Sequence, residues 1–491
     1  MSTRGNSVSV RTLLSRADGE RGFVSAPLSQ HQQRAHQRFV LRESHLAVER
    51  ESKSRYPSRL LDPVWWIGVL FVANFFLMRL SVPGIDISLS VPLTIVWLGL
   101  AWRCHVIVVE PRRFLLWVAA GGVAALVTFP QILFVPAPYV SVNSWLLWMV
   151  TWLPAAFMMA DRSRGTFERA LRAVKNIGLG LASISVLFMV VQATPIGYRD
   201  FIGESLPSNL VVSGFNTSYP LFYEANIYKS NGWFALEPSF MSFILGLCIL
   251  AALLIRARIW EVMVLSVGML VTAAGSGMFV ALIGVVVMLW QRQWPLLRRY
   301  LIPGLVLAAV AAPTTIGKTI LDRLSEGSSE NSSTALRTFE PYLYLFPKWV
   351  SDWGIVLFGG GPGSSRYVVD ASGVNGLLVP TVGKVFFDYG LIAGALLAVI
   401  IVVSYVKATE PAIGMSVLVS MLVLQPPAQP LMVPAFLLST LWAPALRDNI
   451  LAGTERLYAP RGVALSAAGV SGVAGSASAA VSAGSSSSER E

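Results

Sequence analysis

Two stretches of the 491-residue chain gather side chains that can bind anions and move protons. The first, Tyr198 to Glu237, holds Arg199, Asp200, Glu204, Glu224, Lys229 and Glu237 among Tyr219, Phe222, Tyr223, Tyr228, Trp233 and Phe234. The second, Leu321 to Asp388, holds Arg323, Arg337, Glu340, Lys348, Asp352, Arg366 and Asn375, with Phe339, Tyr342, Tyr344, Phe346, Trp349 and Trp353 between them. A guanidinium fork can engage phosphate oxygens in pairs, and a carboxylate near a hydroxyl can take its proton. Aromatic faces beside such groups suit the C–H face of a sugar ring. Taken singly, most of these rings also fit the interfacial belt that membrane proteins carry.

Glu237 is the most suggestive single residue. It stands in Glu237-Pro238-Ser239-Phe240, at the start of a long apolar run. Two roles fit it there. A carboxylate before a first-turn proline is favoured by the helix dipole, and the same carboxylate could serve as a general base toward an acceptor hydroxyl. The run Gly359 to Gly363 lacks the Lys-Ser/Thr of a nucleotide-binding loop, so a tight turn passing close to another element is its simpler reading. Arg366, three residues on, keeps an anion cradle in view.

The elements that must hold these residues are set by composition. The chain is 54% hydrophobic and 13% charged, with a mean hydropathy of +0.61. Soluble domains carry nearer a quarter charged residues. The expected fold is all-α, a polytopic membrane protein of about twelve spans, since a crossing helix needs about 20 apolar residues. Spans are expected near 64–80, 87–102, 114–135, 142–160, 177–193 and 238–255. A further run, 260–290, is too long for one span and reads as two short helices meeting at Gly275-Ser276-Gly277. The remaining spans are expected near 301–316, 385–406, 412–424 and 431–446. Between 161 and 176, Phe167, Leu171 and Val174 fall at i, i+4 and i+7 opposite five basic residues. That pattern fits an interfacial helix or a plain basic loop.

The domain plan is therefore a basic arm (1–62), a transmembrane domain (63–446) with two long outer loops (198–237 and 317–384), and a Ser/Ala/Gly tail (447–491). No short basic segment leads directly into an apolar core at the N-terminus, so a cleavable signal is not expected. With both termini inside, about three quarters of the 38 Lys and Arg fall on the inner side. Net charge of +11 is then accounted for by the positive-inside rule, and nucleic acid is not an expected partner. His31, His36, His45 and His105 all fall inside, which leaves the outer loops without imidazole. Two cysteines, Cys104 and Cys248, make a disulfide framework or a thiolate metal cluster unexpected, and no cofactor or metal is expected. Few ionisable residues interrupt the spans, which argues against an ion-coupled transporter.

Several local strings occur in an order that resembles the O-antigen polymerase and O-antigen ligase superfamily, the Wzy-like integral membrane glycosyltransferases of the GT-C type. They are Trp233-Phe234-Ala235-Leu236-Glu237-Pro238-Ser239, Gly275-Ser276-Gly277 and Leu336-Arg337, then Leu357-Phe358-Gly359-Gly360-Gly361-Pro362-Gly363, Asn375-Gly376-Leu377 and Phe387-Asp388-Tyr389-Gly390-Leu391. The resemblance covers roughly Leu179 to Leu424. It implies transfer of a glycan from an undecaprenyl-pyrophosphate carrier at the outer face of a bacterial inner membrane, in exopolysaccharide, capsule or O-antigen synthesis. By that resemblance Arg337 meets the pyrophosphate with help from Arg199, Arg323 or Arg366, and Glu237 or Glu340 activates the acceptor. Trp233, Tyr342, Trp349 and Asn375 complete the substrate-binding set. The implied partners are the lipid-linked oligosaccharide, the growing glycan, membrane lipids, a chain-length regulator and a flippase. Ligases of this superfamily carry a functional His where this chain has Asn375, which favours a polymerase. The Arg-x10-Gly pattern of some polymerases starts at none of Arg199, Arg323, Arg337 or Arg366. Alternatives are ligase-type transfer and a non-catalytic polysaccharide flippase or exporter.

Overall fold

In chain order the described helices are α1 (Pro63–Leu77), α2 (Ser90–Arg103), α3 (Pro111–Phe134), α4 (Val142–Trp152), α5 (Arg164–Gln192) and the short α6 (Phe201–Ser205). Next come α7 (Pro238–Leu254), α8 (Ile259–Leu270), α9 (Gly275–Trp290) and α10 (Trp294–Ala311). Four short helices then precede the last long ones: α11 (Ala335–Thr338), α12 (Glu340–Ser351), α13 (Trp353–Phe358) and α14 (Ser364–Asp370). The series ends with α15 (Thr381–Val406), α16 (Pro411–Val423) and α17 (Gln429–Leu438). This computed structural model describes residues 62–134, 140–195, 197–215, 217–221, 226–315, 317–318, 335–374, 376–423 and 428–444. The low-complexity tail, the arm before residue 62, Arg323 and Asn375 lie outside them.

The described residues are mostly helical, with two short antiparallel strand pairs. Ser81–Val82 (β1) pairs with Ile85–Ser88 (β2) to join α1 to α2, and Ile107–Val109 (β3) pairs with Phe157–Met159 (β4). Among the described residues, four helices are long and apolar enough to cross a membrane: α3, α5, α10 and α15. Six further apolar helices are shorter, at 10–17 residues. The expected span at 142–160 shows how a run shortens. Its helix stops at Trp152, Pro154 sits in a 3-10 turn, and Phe157–Met159 becomes a strand. Backbone groups freed by the turn are satisfied by the β3 partner, as non-helical backbone in an apolar setting requires.

At the centre stands α7. Its sequence is apolar around the whole circumference, and every residue from Pro238 to Leu253 is buried. It packs against α5, α8, α9, α16 and α17. The tightest approach is to α9. A Cβ at Gly277 would lie 1.9 Å from the Ser242 carbonyl oxygen, so only glycine lets the two backbones meet. The Ser242 hydroxyl donates to Ala274 O at 2.9 Å and accepts from Gly277 N at 3.0 Å, while Ser276 Oγ donates to Ser239 O at 2.6 Å. Close small-residue packing with interhelical hydrogen bonds is what joins helices where lipid offers no hydrophobic drive.

Two expectations are corrected here. The stretch 161–176 is neither a surface-lying helix nor a loop: after residues 161–163, with Ser163 as N-cap, residues 164–176 are the first half of α5, one helix of 29 residues. Phe167, Leu171 and Val174 are buried, and the Phe167 ring meets Trp442 edge-on at 4.9 Å between centroids. Nothing in Asn176-Ile177-Gly178 breaks the helix, and the apolar stripe continues through Leu181, Ala182 and Phe188. Its greasy face is therefore covered by protein, with Lys175 paired to Glu261 of α8. The 260–290 run does form two helices, but the turn is Val271 to Ala274, with Ala273 at φ +45°. Gly275-Ser276-Gly277 opens α9 instead of making the turn.

Gly277→Ala is expected to strain the α7–α9 crossing by roughly 1–3 kcal/mol and to lower the unfolding midpoint of the detergent-solubilised protein. Gly99→Ala, in open space on α2, serves as the matched control and should leave the midpoint unchanged or raised. Equal midpoints for the two variants would remove the crossing as the organising contact.

Candidate functional site

The first loop is tied down by a cation that the sequence leaves near a helix end. Arg79, 1% exposed, donates from both terminal nitrogens to the Asp200 carboxylate at 2.8 and 2.7 Å, and to Trp233 O at 2.6 Å. Asp200 also accepts from Thr217 Oγ1 at 3.1 Å and from Gly203 N at 3.2 Å, capping α6. Asn231 carries the chain onward. Its side chain donates to Thr217 O at 3.2 Å and accepts from Trp233 N at 3.0 Å, where Trp233 takes φ +62°. The bidentate pair fixes both ends of the loop, so the segment entering α7 has a set direction.

That segment ends at Glu237. Its carboxylate does not cap α7: no side-chain hydrogen bond runs to the first-turn amides. Instead Oε2 accepts from the Ser239 hydroxyl at 3.0 Å and from Arg337 Nη2 at 3.3 Å. The two side chains are 10% and 17% exposed. Arg337 belongs to α11 in the second loop, one hundred positions away. Leu378 N donates to Leu336 O at 3.1 Å and ties that helix to the segment before α15. Beyond Nη2, the guanidinium has no partner among the described residues. Glu340, three residues on in the first turn of α12, is buried and engaged.

The other expected site residues are placed elsewhere. Arg199 makes an exposed pair with Glu204 at 3.1 Å, and Arg366 one with Asp370 at 3.5 Å. Neither is brought to the Glu237–Arg337 pair by any contact. Trp233 packs edge-on against Phe188 at 5.0 Å. It also lines, with Phe201, Ile202, Ser205, Leu206 and Phe234, an apolar cleft of about 370 Å³. Tyr342 is half-buried against Gly383, and burial pushes its phenol above the ordinary value. Trp349 packs beside a small core of Leu345, Val369, Leu377 and Phe387. Trp233 and Trp349 thus help hold their loops in place, each still half-exposed. Arg323 and Asn375 lie outside the described residues.

The glycine run is a packing device. Gly360 N donates to Phe387 O at 2.8 Å and Gly361 N to Asp388 O at 3.0 Å. Gly359, at φ +82°, and Gly390, at φ +67°, touch backbone to backbone, and a Cβ on either would lie 2.4 Å from a carbonyl oxygen of the other segment. The amides that begin α14 are already taken by a carboxylate. Asp388 accepts from Gly363 N at 3.2 Å, Ser365 N at 2.8 Å and Ser364 Oγ at 3.1 Å, with Lys384 at 3.5 Å. An incoming phosphate would have to displace Asp388, so the cradle reading falls. Reasoning from sequence left Asp388 without a role; its position in Phe387-Asp388-Tyr389-Gly390 was the available signal.

Among the described residues no three His, Cys, Asp or Glu side chains converge as a metal site requires. What the arrangement offers is a carboxylate and a guanidinium in contact at the mouth of the central helix, shielded from water and fed by separate loops. No protein-family model matches the chain, and no curated protein matches it.

Burial opposes ionisation of Asp200, but the Arg79 guanidinium, with the Gly203 and Thr217 donors, outweighs it and holds the carboxyl below its ordinary value. A depressed folded-state value means the stabilisation is full above the unfolded value of about 3.9 and is lost as pH falls through the folded one. Hydrogen-exchange protection across 200–215, corrected for intrinsic rates, should therefore hold at neutral pH and drop below about pH 4. Asp200→Asn should lower it already at neutral pH and remove the acid step; an unchanged step in that variant would assign it to another group.

Proposed function

We propose that the protein is a membrane glycosyltransferase that extends a glycan from a pyrophosphate-linked lipid carrier, with Arg337 and Glu237 at its centre. The observation that carries this reading is their contact: a phosphate-binding cation and a proton-accepting group, from two separate loops, meeting at the start of the buried helix α7. Arg337 can offer its remaining N–H groups to the diphosphate oxygens, where a planar fork binds best. A carboxylate oxygen of Glu237 then takes the proton of an acceptor hydroxyl. The hydroxyl oxygen bonds to the anomeric carbon, and the bond from that carbon to the phosphate oxygen breaks. The lipid diphosphate leaves with the electron pair, its developing charge held by Arg337.

Several features support the setting. The apolar helices suggest membrane association. Reading the six shorter ones, together with α2 and α4, as additional spans gives twelve, with both termini cytosolic and the two loops on the outer face of a bacterial inner membrane. The basic residues then lie mostly inside. The apolar cleft beside Trp233 has the chemistry to take a hydrocarbon chain. The absence of imidazole from the outer loops favours polymerisation over ligase-type transfer, with a Wzy-like repeat-unit polymerase as the closest functional analogy.

Chain extension of an undecaprenyl-pyrophosphate-linked repeat by the purified protein in nanodiscs tests it. Glu237→Gln should slow extension by roughly 10²–10⁴-fold, as loss of a general base does, with the unfolding midpoint retained. Arg337→Ala should cost at least as much and Arg337→Lys less, because Lys keeps charge but loses the fork. Wild-type rates in Glu237→Gln, or movement of the lipid-linked oligosaccharide across the bilayer with no lengthening, would overturn the reading.

A further inference from the structure

The second loop carries an apolar face that the site does not use. Phe339, Leu343, Phe346 and Val350 recur at i, i+4, i+7 and i+11, and the stripe passes onto α13 through Trp353 and Leu357. That spacing puts the first four on one side of α12, opposite Leu345, which faces the small core. All six are exposed, Leu343 at 64% and Trp353 at 77%. Soluble surfaces rarely leave such a run uncovered.

Two comparisons within the chain identify what covers it. The neighbouring helix α14 does the opposite, turning Arg366 and Asp370 outward and burying Val369. Helix α14 thus turns a charged pair outward beside Tyr367, where the α12 stripe offers only apolar side chains. Helix α10, a candidate span, exposes Ile302 at 72%, matching the α12 stripe in both kind and degree. The stripe also runs directly into a second candidate span. The C-terminal end of α13 is fixed to the Gly390 kink of α15 by the Gly359–Gly390 contact, and just past that kink Leu391 and Ile392 open an exposed apolar face continued by Val399 and Val402. Lys348, Ser351 and Asp352 stay exposed beside the stripe, giving the polar flank an interfacial helix needs.

We propose that α12 and α13 form an amphipathic anchor lying in the membrane, with the Phe339–Leu357 stripe seated among the acyl chains of the leaflet that borders the Gly390 kink of α15. The anchor holds the α11–α12 junction, and with it Arg337, at the depth of the lipid headgroups. The proposal needs a membrane around α15 but not glycosyl transfer, so each can fail without the other.

The test uses the full chain in phosphatidylethanolamine/phosphatidylglycerol nanodiscs, with single substitutions Phe346→Cys, Val350→Cys and Arg366→Cys labelled with an environment-sensitive fluorophore. The unsubstituted protein gives the background from Cys104 and Cys248. Phe346 and Val350 are both exposed, so substitution there removes little packing, and Leu343→Cys stands in for either if it fails to fold. Lipids bearing a nitroxide near the top of the acyl chain should quench roughly half the emission at positions 346 and 350, the depth an interfacial helix reaches, while leaving position 366 unaffected. Stripe labels as unquenched and water-exposed as position 366 would overturn the proposal. So would labels shielded from water but beyond reach of the nitroxide, because that result assigns the face to a protein partner.

Discussion

The arrangement depends on the backbone contact between α7 and α9. Helix α7 has no polar face, so it is stable only when enclosed, and the closest of its neighbours is admitted by Gly277 against Ser242. Ser239, Ser242 and Ser276 lock that crossing with hydrogen bonds at the same end of the helix where Glu237 sits. The carboxylate that faces Arg337 is thus carried by the most constrained element in the molecule. Sites held on rigid elements keep their geometry, and here the rigidity comes from small residues and not from bulk.

Around that fixed point the two loops are organised differently. The first is tied electrostatically: Arg79 reaches from the end of α1 and binds Asp200 and Trp233 at once. A buried guanidinium is costly unless its donors are matched, and a bidentate carboxylate plus a carbonyl match most of them. The second loop is tied by backbone, through the glycine run against the Gly390 kink and through Asp388 on the amides of α14. Its stripe of outward apolar residues then sets where the loop can rest. The Glu237–Arg337 contact joins two loops whose own supports are independent, which is what a site needs if one loop is to receive a donor and the other an acceptor.

Some of this was legible in the residues. Glu237 stood out because a carboxylate opened an apolar run, and Arg337 because a cation preceded an aromatic helix. Their pairing was not legible, because it spans a hundred positions and rests on the α7–α9 crossing. Arg79 could be read only as an expensive cation near a helix end; nothing local pointed to Asp200. The stripe Phe167, Leu171, Val174 misled, since spacing alone does not distinguish a face covered by lipid from one covered by Trp442. The aromatics of the loops were legible as a group but not individually: Trp349 went to a small core and Trp353 to the surface. Span lengths failed where Pro154 turned a helix end into a strand, a change that hydropathy does not register.

The central claim is a division of labour, with Arg337 holding the donor's diphosphate and Glu237 handling the acceptor's proton. Equilibrium binding of undecaprenyl pyrophosphate to the solubilised protein separates the two. The account predicts that Glu237→Gln binds it at least as tightly as the unsubstituted chain, and that Arg337→Ala loses roughly tenfold or more in affinity, the worth of charge-assisted hydrogen bonds. Equal binding by all three proteins would contradict it.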